Sequence, residues 1–279
     1  MLGGCGAWPA AGQACSGYLA EHGGFQLLVD PGYATLPRLL ELTDAASIDA
    51  VLVSHGHPDH CADLNPLLRA RVMAAHPPPP LPVYTLPGAL DAVLALDKPD
   101  MMRPGLDLRE FAAGAEFTAG PFGVASCALP HFVPNAGLRL TAAGRTLAYT
   151  GDAGPSDDLV TLARDADLLL AEATYPDQVP AEHAGGLSSA AQAGRAAARA
   201  GARQLMLTHL WPGTDPAAAV TAARRGYPGE ISVARPGITL SLGPLDGDGP
   251  GKQSDLCPGR LRPSHPRHAP PRPAVGPNR

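Results

Sequence analysis

Three histidines and a carboxylate lie within six residues of this chain, in the run His55-Gly56-His57-Pro58-Asp59-His60. Neutral imidazole and ionised carboxylate are the nitrogen and oxygen donors that bind zinc and its divalent neighbours. The run directly follows an apolar segment, residues 48–53, so the donors leave a predicted strand together on one short turn. This concentration of donors predicts a metal site and argues against a plain polar surface turn.

Three more donors stand directly after apolar segments elsewhere in the chain. His131 follows a predicted strand at 124–129, Asp152 follows one at 146–150, and His209 follows one at 204–208. In α/β proteins, ligands collect at the edge of the sheet where the strands end. We therefore expect these three side chains to meet the first cluster at one edge of the fold.

The apolar pattern predicts strands that first form meanders and later alternate with helices. Strands are predicted at residues 18–20, 25–29, 48–53, 83–85, 124–129, 137–140, 146–150, 168–171, 204–208, 231–234 and 238–242. Helices are predicted at 36–42, 62–72 and 188–200, with another starting at Ser156, and residues 86–114 are predicted as a helix and a loop beside the site. The pattern indicates mixed sheets covered by helices, an α/β (α+β) class.

Composition limits the function classes. The 279 residues are 45% hydrophobic, enough for one large domain, which we place at 1–243. Residues 244–279, rich in Pro, Gly and Arg, are predicted as a disordered tail. A net charge of −5 disfavours nucleic acid as a partner, and no apolar run predicts a membrane span or a signal peptide, so we expect a cytoplasmic protein. Five scattered cysteines predict reduced thiols, with Cys61 packed at a helix start and not a ligand.

The combined pattern resembles the metallo-β-lactamase superfamily. The matching pieces are Asp30 after its strand, the His-x-His-x-Asp-His turn, His131, Gly151-Asp152 and Leu207-Thr208-His209. These pieces span essentially the whole predicted domain. The resemblance implies a four-layer αββα metallo-β-lactamase sandwich with two metal ions at one edge.

The resemblance also implies a role for each donor. One metal would be bound by His55, His57 and His131, and the other by Asp59, His60 and His209. Asp152 would bridge the two ions, and Asp30 would support the site by orienting a ligating imidazole. The cofactors implied are two divalent metal ions, with zinc favoured and manganese, iron and cobalt left open.

Further motifs resemble the ribonuclease Z-like branch of that superfamily. Gly4-Cys5-Gly6 with Pro9, then Ser16-Gly17-Tyr18-Leu19, is similar to its opening, and Glu172-Ala173-Thr174-Tyr175 followed by His183 is similar to its later motifs. In that branch the histidine contacts the scissile phosphate or protonates the leaving oxygen, and a carboxylate orients it. The resemblance assigns these roles to His183 and Glu172, with Asp59 as ligand and proton acceptor. Residues 184–187 depart from the family pattern by separating His183 from the next helix.

The branch includes tRNA 3′ endonucleases and small bacterial phosphodiesterases that act on cyclic nucleotides. The endonucleases typically carry a long flexible arm between the positions of His131 and Asp152, and this chain has no room for one there. The predicted domain also lacks a basic stripe that would neutralise phosphates. We therefore expect a dinuclear zinc phosphodiesterase that cleaves a small or cyclic-nucleotide phosphodiester by a metal-bound hydroxide. Trp211 leaves two interpretations open, a core-edge residue and a ring that stacks on a nucleobase.

Three alternatives remain at this point. A ribonuclease Z-type tRNA 3′ endonuclease would need RNA contacts from a dimer partner or from the basic tail. A thioester or lactone hydrolase would use the same metals and would not need His183. A non-catalytic metal-binding scaffold is the alternative that is not an enzyme. Both a monomer and a homodimer are compatible with the sequence.

Overall fold

Two β-sheets carry the candidate ligands at their edges in the computed structural model, which describes residues 1–243. The first sheet has the order β3 (Tyr18–His22), β4 (Phe25–Val29), β5 (Ala50–Leu52), β6 (Leu81–Thr85) and β7 (Leu106–Glu110). A separate two-stranded sheet pairs β1 (Gly3–Cys5) with β2 (Ala14–Cys15). The predicted tail at 244–279 lies outside the described residues.

The second sheet has seven strands. In chain order they are β8 (Glu116–Ala119), β9 (Phe122–Leu129), β10 (Asn135–Ala142), β11 (Arg145–Tyr149), β12 (Leu168–Glu172), β13 (Gln204–Thr208) and β14 (Glu230–Val233), and each strand pairs with the next. Strands β8 to β11 form an antiparallel meander, and β11 to β14 are parallel. The carboxyl ends of β9, β11, β12 and β13 therefore lie at one edge of this sheet.

Eight α-helices connect the strands. They are α1 (Thr35–Leu40), α2 (Pro58–Cys61), α3 (Leu64–Val72), α4 (Asp91–Leu94), α5 (Pro99–Met102), α6 (Asp157–Leu162), α7 (Ala190–Ala200) and α8 (Pro216–Arg224), among the described residues. Two 3₁₀ turns add Ala45–Ser47 and Arg103–Gly105. None of the helices within 1–243 has the length and apolar character needed to cross a membrane.

Three apolar layers separate four layers of secondary structure. Leu28, Val51 and Leu67 belong to the layer between the first sheet and its helices. Leu52, Leu138 and Met206 belong to the layer between the two sheets. The third layer, between the second sheet and helices α6 to α8, is built mainly from small side chains of α7 and α8. The predicted αββα sandwich is confirmed.

Most predicted elements are present, with boundaries shifted by a few residues. Ser156 caps α6 by accepting a hydrogen bond from the Leu159 amide, and Gly201 ends α7 with a positive φ of 67°, both as predicted. Two predictions were wrong. Residues 238–242 form no strand, and residues 86–114 contain the edge strand β7 as well as helices. The four cysteines within 1–243 are free thiols, and Cys61 packs in the apolar layer beneath the first sheet.

Candidate metal centre

Strand ends of both sheets bring the candidate ligands together. The His55–His60 turn follows β5 of the first sheet, with Asp30 directly after the neighbouring strand β4. His131, Asp152 and His209 follow β9, β11 and β13 of the second sheet. The site therefore lies at the edge where the two sheets meet, and all seven ligands predicted from the sequence contribute to it.

The first donor set consists of three histidines and one carboxylate. His57 Nδ1 lies 3.1 Å from His55 Nε2 and 3.0 Å from His131 Nε2. Asp152 Oδ2 lies 3.8 Å from His55 Nε2 and 3.9 Å from His131 Nε2. All four donor atoms lie close together, the arrangement that the resemblance implies for a first metal.

The second donor set shares Asp152 with the first. His209 Nε2 lies 3.1 Å from Asp152 Oδ2 and 3.1 Å from Asp59 Oδ2. His60 Nε2 lies 3.1 Å from Asp152 Oδ1 and 3.6 Å from Asp59 Oδ2. Because Asp152 faces both sets, its carboxylate occupies the position that a bridging ligand needs.

The donor sets fit divalent ions. Tetrahedral zinc with bonds of about 2.0–2.1 Å keeps its ligands roughly 3.4 Å apart, close to the spacings in both sets. His60 Nε2 and Asp152 Oδ1 are buried and have no hydrogen-bond partner among the described residues, although they lie 3.1 Å apart. A buried polar atom without a partner is costly, and a cation between these two atoms would satisfy both.

The histidines of the two donor sets differ in the direction of their pKa shifts. Burial lowers the pKa of His55, His57 and His131, which keeps these rings neutral with nitrogen lone pairs available. Burial alone would also lower the pKa of His60 and His209, but the Asp152 carboxylate outweighs it and raises the pKa of His209 to about 10. Protons on these two rings supply the positive charge that the carboxylates need when no cation is bound.

Asp30 supports the site from behind His60, as predicted from the resemblance. Its Oδ2 atom lies 2.8 Å from His60 Nδ1 and accepts hydrogen bonds from the hydroxyls of Ser54 and Tyr149. Its Oδ1 atom accepts a hydrogen bond from the Ser54 amide. A carboxylate on Nδ1 favours the tautomer that leaves the His60 Nε2 lone pair for a metal.

The segment that departs from the family pattern has a clear structural role. The Gly186 carbonyl lies 2.8 Å from His131 Nδ1, so it accepts a hydrogen bond from that nitrogen and leaves His131 Nε2 facing the site. Gly186 and Leu187 each donate an amide hydrogen bond to the His183 carbonyl. The inserted turn thus orients a candidate ligand and joins His183 to it.

Glu172 does not orient His183, and the prediction that it does is wrong. The Glu172 carboxylate is buried and accepts hydrogen bonds from the Thr174 hydroxyl and from the Thr174 and Ser188 amides. The Thr174 hydroxyl in turn lies 2.9 Å from His209 Nδ1. Glu172 therefore acts on a candidate metal ligand through Thr174, a link that the sequence pattern does not reveal.

The hydroxyl of Tyr175 is the partner of His183. It lies 2.7 Å from His183 Nδ1, and Phe132 separates His183 from His131 with ring-centroid distances of 6.2 and 5.1 Å. Burial raises the pKa of Tyr175, so the phenol keeps its proton at neutral pH. It can donate to a neutral Nδ1 or accept from a protonated one, and so holds the ring in both charge states.

The N-terminal segment completes the site in a way that the sequence analysis did not anticipate. The Ala7 amide donates a 2.8 Å hydrogen bond to Asp59 Oδ2. Gly6 lies so close to His209 that a Cβ atom there would stand 2.7 Å from the imidazole. Any larger residue at this position would push the histidine out of place. The Gly4-Cys5-Gly6 motif is thus explained by its approach to a candidate ligand.

Comparison with known proteins gives the family. The sequence model of the family described as Beta-lactamase superfamily domain matches residues 26–210. The probable metallo-hydrolase YhfI of Bacillus subtilis (strain 168) is 32% identical over 244 residues, 85% of this chain and 97% of that protein. The crystal structure of YhfI, a metallo-beta-lactamase fold protein, superimposes with a TM-score of 0.77 at 33% identity, covering 85% of this chain and 95% of that one.

A ribonuclease Z is also among the relatives. The ribonuclease Z of Mycobacterium bovis (strain BCG / Pasteur 1173P2) is 29% identical over 224 residues, 71% of this chain and 80% of that protein. The family match, the similarity to YhfI and the His/Asp cluster at the joint edge of the two sheets agree with one another. This chain belongs to the metallo-β-lactamase superfamily, as a metallo-hydrolase with a candidate divalent-metal site.

Proposed function

We propose that this protein is a two-metal phosphodiesterase whose substrate is a small diester, with cyclic nucleotides the leading candidates. The observation that carries the proposal is the pair of donor sets sharing Asp152, with His183 linked to them through the Gly186 turn. This combination provides for both charge stabilisation and proton donation, the two needs of diester hydrolysis.

Each donor set would hold one ion. His55, His57 and His131 would hold the first, Asp59, His60 and His209 the second, and Asp152 both. When bound, two divalent ions would lower the pKa of a water molecule and offset the charge on the phosphoryl oxygens. Zinc suits the imidazole-rich first set best, and manganese suits the carboxylates of the second.

The main proposed role of Asp59 is to bind the second ion, and proton acceptance is secondary. Burial alone would raise the pKa of its carboxyl, but the hydrogen bond and the charges of His209 and His60 lower it below its ordinary value. Its Oδ2 atom lies 3.1 Å from His209 Nε2 and accepts the Ala7 amide hydrogen bond, which holds it in the second donor set. We therefore assign Asp59 mainly to holding the second ion in place.

His183 is proposed to protonate the departing alkoxide. The Tyr175 hydroxyl accepts from Nδ1 when the ring carries both protons, which leaves the Nε2 proton for donation. Once that proton has been donated, the same contact holds the neutral ring in position. Tyr175 thus takes the orienting role that the sequence analysis assigned to Glu172.

The short connection between strands β10 and β11 favours a small substrate. Asn135–Ala142 and Arg145–Tyr149 are joined only by Ala143 and Gly144, both with positive φ. This hairpin occupies the place of the arm expected in an endonuclease of the branch. The similarity to a ribonuclease Z supports tRNA 3′ cleavage as a second candidate, which would need another RNA-binding surface.

The test is hydrolysis of 3′,5′-cyclic AMP by zinc- or manganese-loaded protein. We expect turnover that falls by 10²-fold or more in His183→Ala, the range of general acid catalysis. A smaller loss is expected in Tyr175→Phe, which keeps the ring and removes the hydroxyl. Leu42→Ala, an exposed position after α1, serves as the control.

Two results would contradict the proposal. The first is absence of turnover in protein shown to carry two ions. The second is full activity of His183→Ala towards cyclic AMP, which would show that His183 does not protonate the departing alkoxide. Turnover of a thioester or lactone in place of the diester would favour an acyl substrate. Cleavage of precursor tRNA in place of the cyclic nucleotide would favour the endonuclease.

A further inference from the structure

Five aromatic rings form a continuous cluster beside the metal centre, here called the aromatic arc: Trp8, Phe132, Tyr175, His183 and Trp211. The Trp211 ring lies 5.8 Å from Trp8, 5.2 Å from Tyr175 and 6.4 Å from His183, measured between centroids. Phe132 extends the arc on the other side of His183, at 6.2 Å. The arc therefore runs on both sides of the proposed proton donor.

The two ends of the arc are unusually exposed. Trp8 is 50% and Phe132 is 55% exposed, although large aromatic side chains gain the most from burial. The chain has only two tryptophans, and both belong to the arc. Exposed aromatic surface next to a metal centre is typical of a binding site.

The backbone fixes the arc relative to the metal ligands. Trp8 follows Ala7, whose amide is bonded to Asp59 and whose φ is +60°. Trp211 stands two residues after His209, and the Gly6 amide donates to the Leu210 carbonyl, which joins the two tryptophan segments. Phe132 directly follows His131. Phe132 is thus adjacent to a candidate ligand in the chain, and Trp8 directly follows a residue that is hydrogen-bonded to one.

We propose that the aromatic arc is the subsite for a planar heteroaromatic base, which stacks on Trp8 while the phosphate of the same nucleotide lies at the metal centre. This inference rests on the proposed function for its phosphate end. Stacking suits the arc because Trp8 and Phe132, at its two ends, are about half exposed and can receive a planar ring. Aromatic rings accept every nucleobase, since each base has a π-face. The substrate class is therefore nucleotides, with little preference between bases.

Intrinsic fluorescence tests the subsite without catalysis. Because both tryptophans lie in the arc, their emission reports on it directly. We expect AMP to quench the emission and ribose 5-phosphate, which has no base, to leave it unchanged. Trp8→Ala should weaken AMP binding on the order of 5- to 150-fold, the range that stacking of one base gives. The emission of Trp211 still measures binding in this variant.

Conservative and distant variants separate stacking from a general loss of structure. Trp8→Phe should recover most of the AMP affinity, because phenylalanine keeps a π-face. Leu42→Ala, exposed and outside the arc, should bind AMP like the unchanged protein. Equal quenching by AMP and ribose 5-phosphate, or no quenching by either, would overturn the subsite. Loss of a dimer in Trp8→Ala would assign the arc to self-association and overturn it as well.

Kinetics distinguish failure of the subsite from failure of the proposed function. The substrates are 3′,5′-cyclic AMP and the corresponding ribose cyclic phosphate without a base. We expect Trp8→Ala to raise KM for cyclic AMP with little change in kcat, and to leave the base-free diester unaffected. If both diesters are cleaved equally and Trp8→Ala changes neither, the function stands and the subsite fails. If AMP binds through Trp8 and no diester is cleaved, the subsite stands and the proposed function fails.

Discussion

At the scale of single residues, Glu172, Thr174 and His209 form one proton-coupled chain. The Thr174 hydroxyl has a single proton, and it donates that proton to Glu172. Its oxygen therefore accepts from His209 Nδ1, which leaves the Nε2 lone pair for a cation. Burial raises the pKa of Glu172 to about 8. The Thr174 oxygen thus accepts the His209 Nδ1 proton whether Nε2 carries a proton or a cation.

Thr174→Val tests this chain of contacts. The substitution keeps the shape of the side chain and removes the hydroxyl that orients His209. We expect affinity for the second ion to fall about 10- to 100-fold, as loss of an orienting partner does at other metal sites, with the first ion unaffected. Competition with a chelating dye measures both affinities.

Thr174→Ser is the matched control, since it keeps the hydroxyl. If Thr174→Val binds both ions with the affinities of the unchanged protein, Thr174 does not orient His209. An equal loss at both sites would point to a general structural effect in place of the local one.

Metal binding is predicted to release protons. Without a cation, Asp152 outweighs burial and raises the pKa of His209 to about 10, so this ring carries an extra proton at pH 7.5. An ion needs the Nε2 lone pair and displaces that proton, and affinity therefore falls as the pH is lowered. Zinc titration in weakly buffered solution with a pH indicator measures the release. Uptake of two ions with no proton released would contradict these charge states.

At the scale of elements, buried apolar strands could be predicted from the sequence, whereas the exposed edge strand β7 could not. Strand β13 was predicted at its observed limits because residues 205–207 are continuously apolar and Gln204 and Thr208 bound them. Strand β7 was missed because it is short and largely exposed, so that only Leu106 and Leu108 mark its alternation with Asp107 and Arg109. The hydrogen bond from Ala7 to Asp59 was missed because nothing in the sequence spacing links two segments so far apart.

The first turn of α7 provides a stability test at this scale. The Ser189 hydroxyl accepts from the Gln192 amide, and the Gln192 side chain accepts from the Ser189 amide, a reciprocal capping box. Ser189→Ala should lower the free energy of unfolding by about 1 kcal/mol, because the helix loses one acceptor for its free amides. Urea unfolding of the metal-loaded protein measures the change. Thr161→Ala, exposed on α6, should stay within about 0.5 kcal/mol, and equal effects of the two variants would argue against the cap.

At the scale of the whole molecule, each ion would connect the two sheets. The first donor set takes His55 and His57 from the first sheet and His131 from the second. The second set takes Asp59 and His60 from the first and His209 from the second, with Asp152 common to both. The seven ligands could be predicted as one cluster because four share the turn after β5 and the other three each follow a recognisable strand of the second sheet. How the sheets meet depends on packing between them, which no single segment reveals.

Metal removal is therefore expected to destabilise the whole sandwich. An ion that binds only the folded chain, at 100 times its Kd, adds about 2.7 kcal/mol to the free energy of unfolding. Thermal unfolding with zinc and with a chelator should show a higher Tm with zinc. Asp152→Ala should lose most of that difference, since Asp152 serves both ions. A zinc-independent Tm would contradict metal bridging between the sheets.

If the seven donors hold two divalent ions around Asp152, the metal content of each chain shows it without any substrate. Elemental analysis of protein dialysed against zinc is predicted to give two ions per chain. His131→Ala, which removes a donor of the first set alone, and His209→Ala, which removes one of the second alone, should each retain about one. A single ion in the unchanged protein, or two ions retained in both variants, would mean that the seven donors do not form two ion sites that share Asp152.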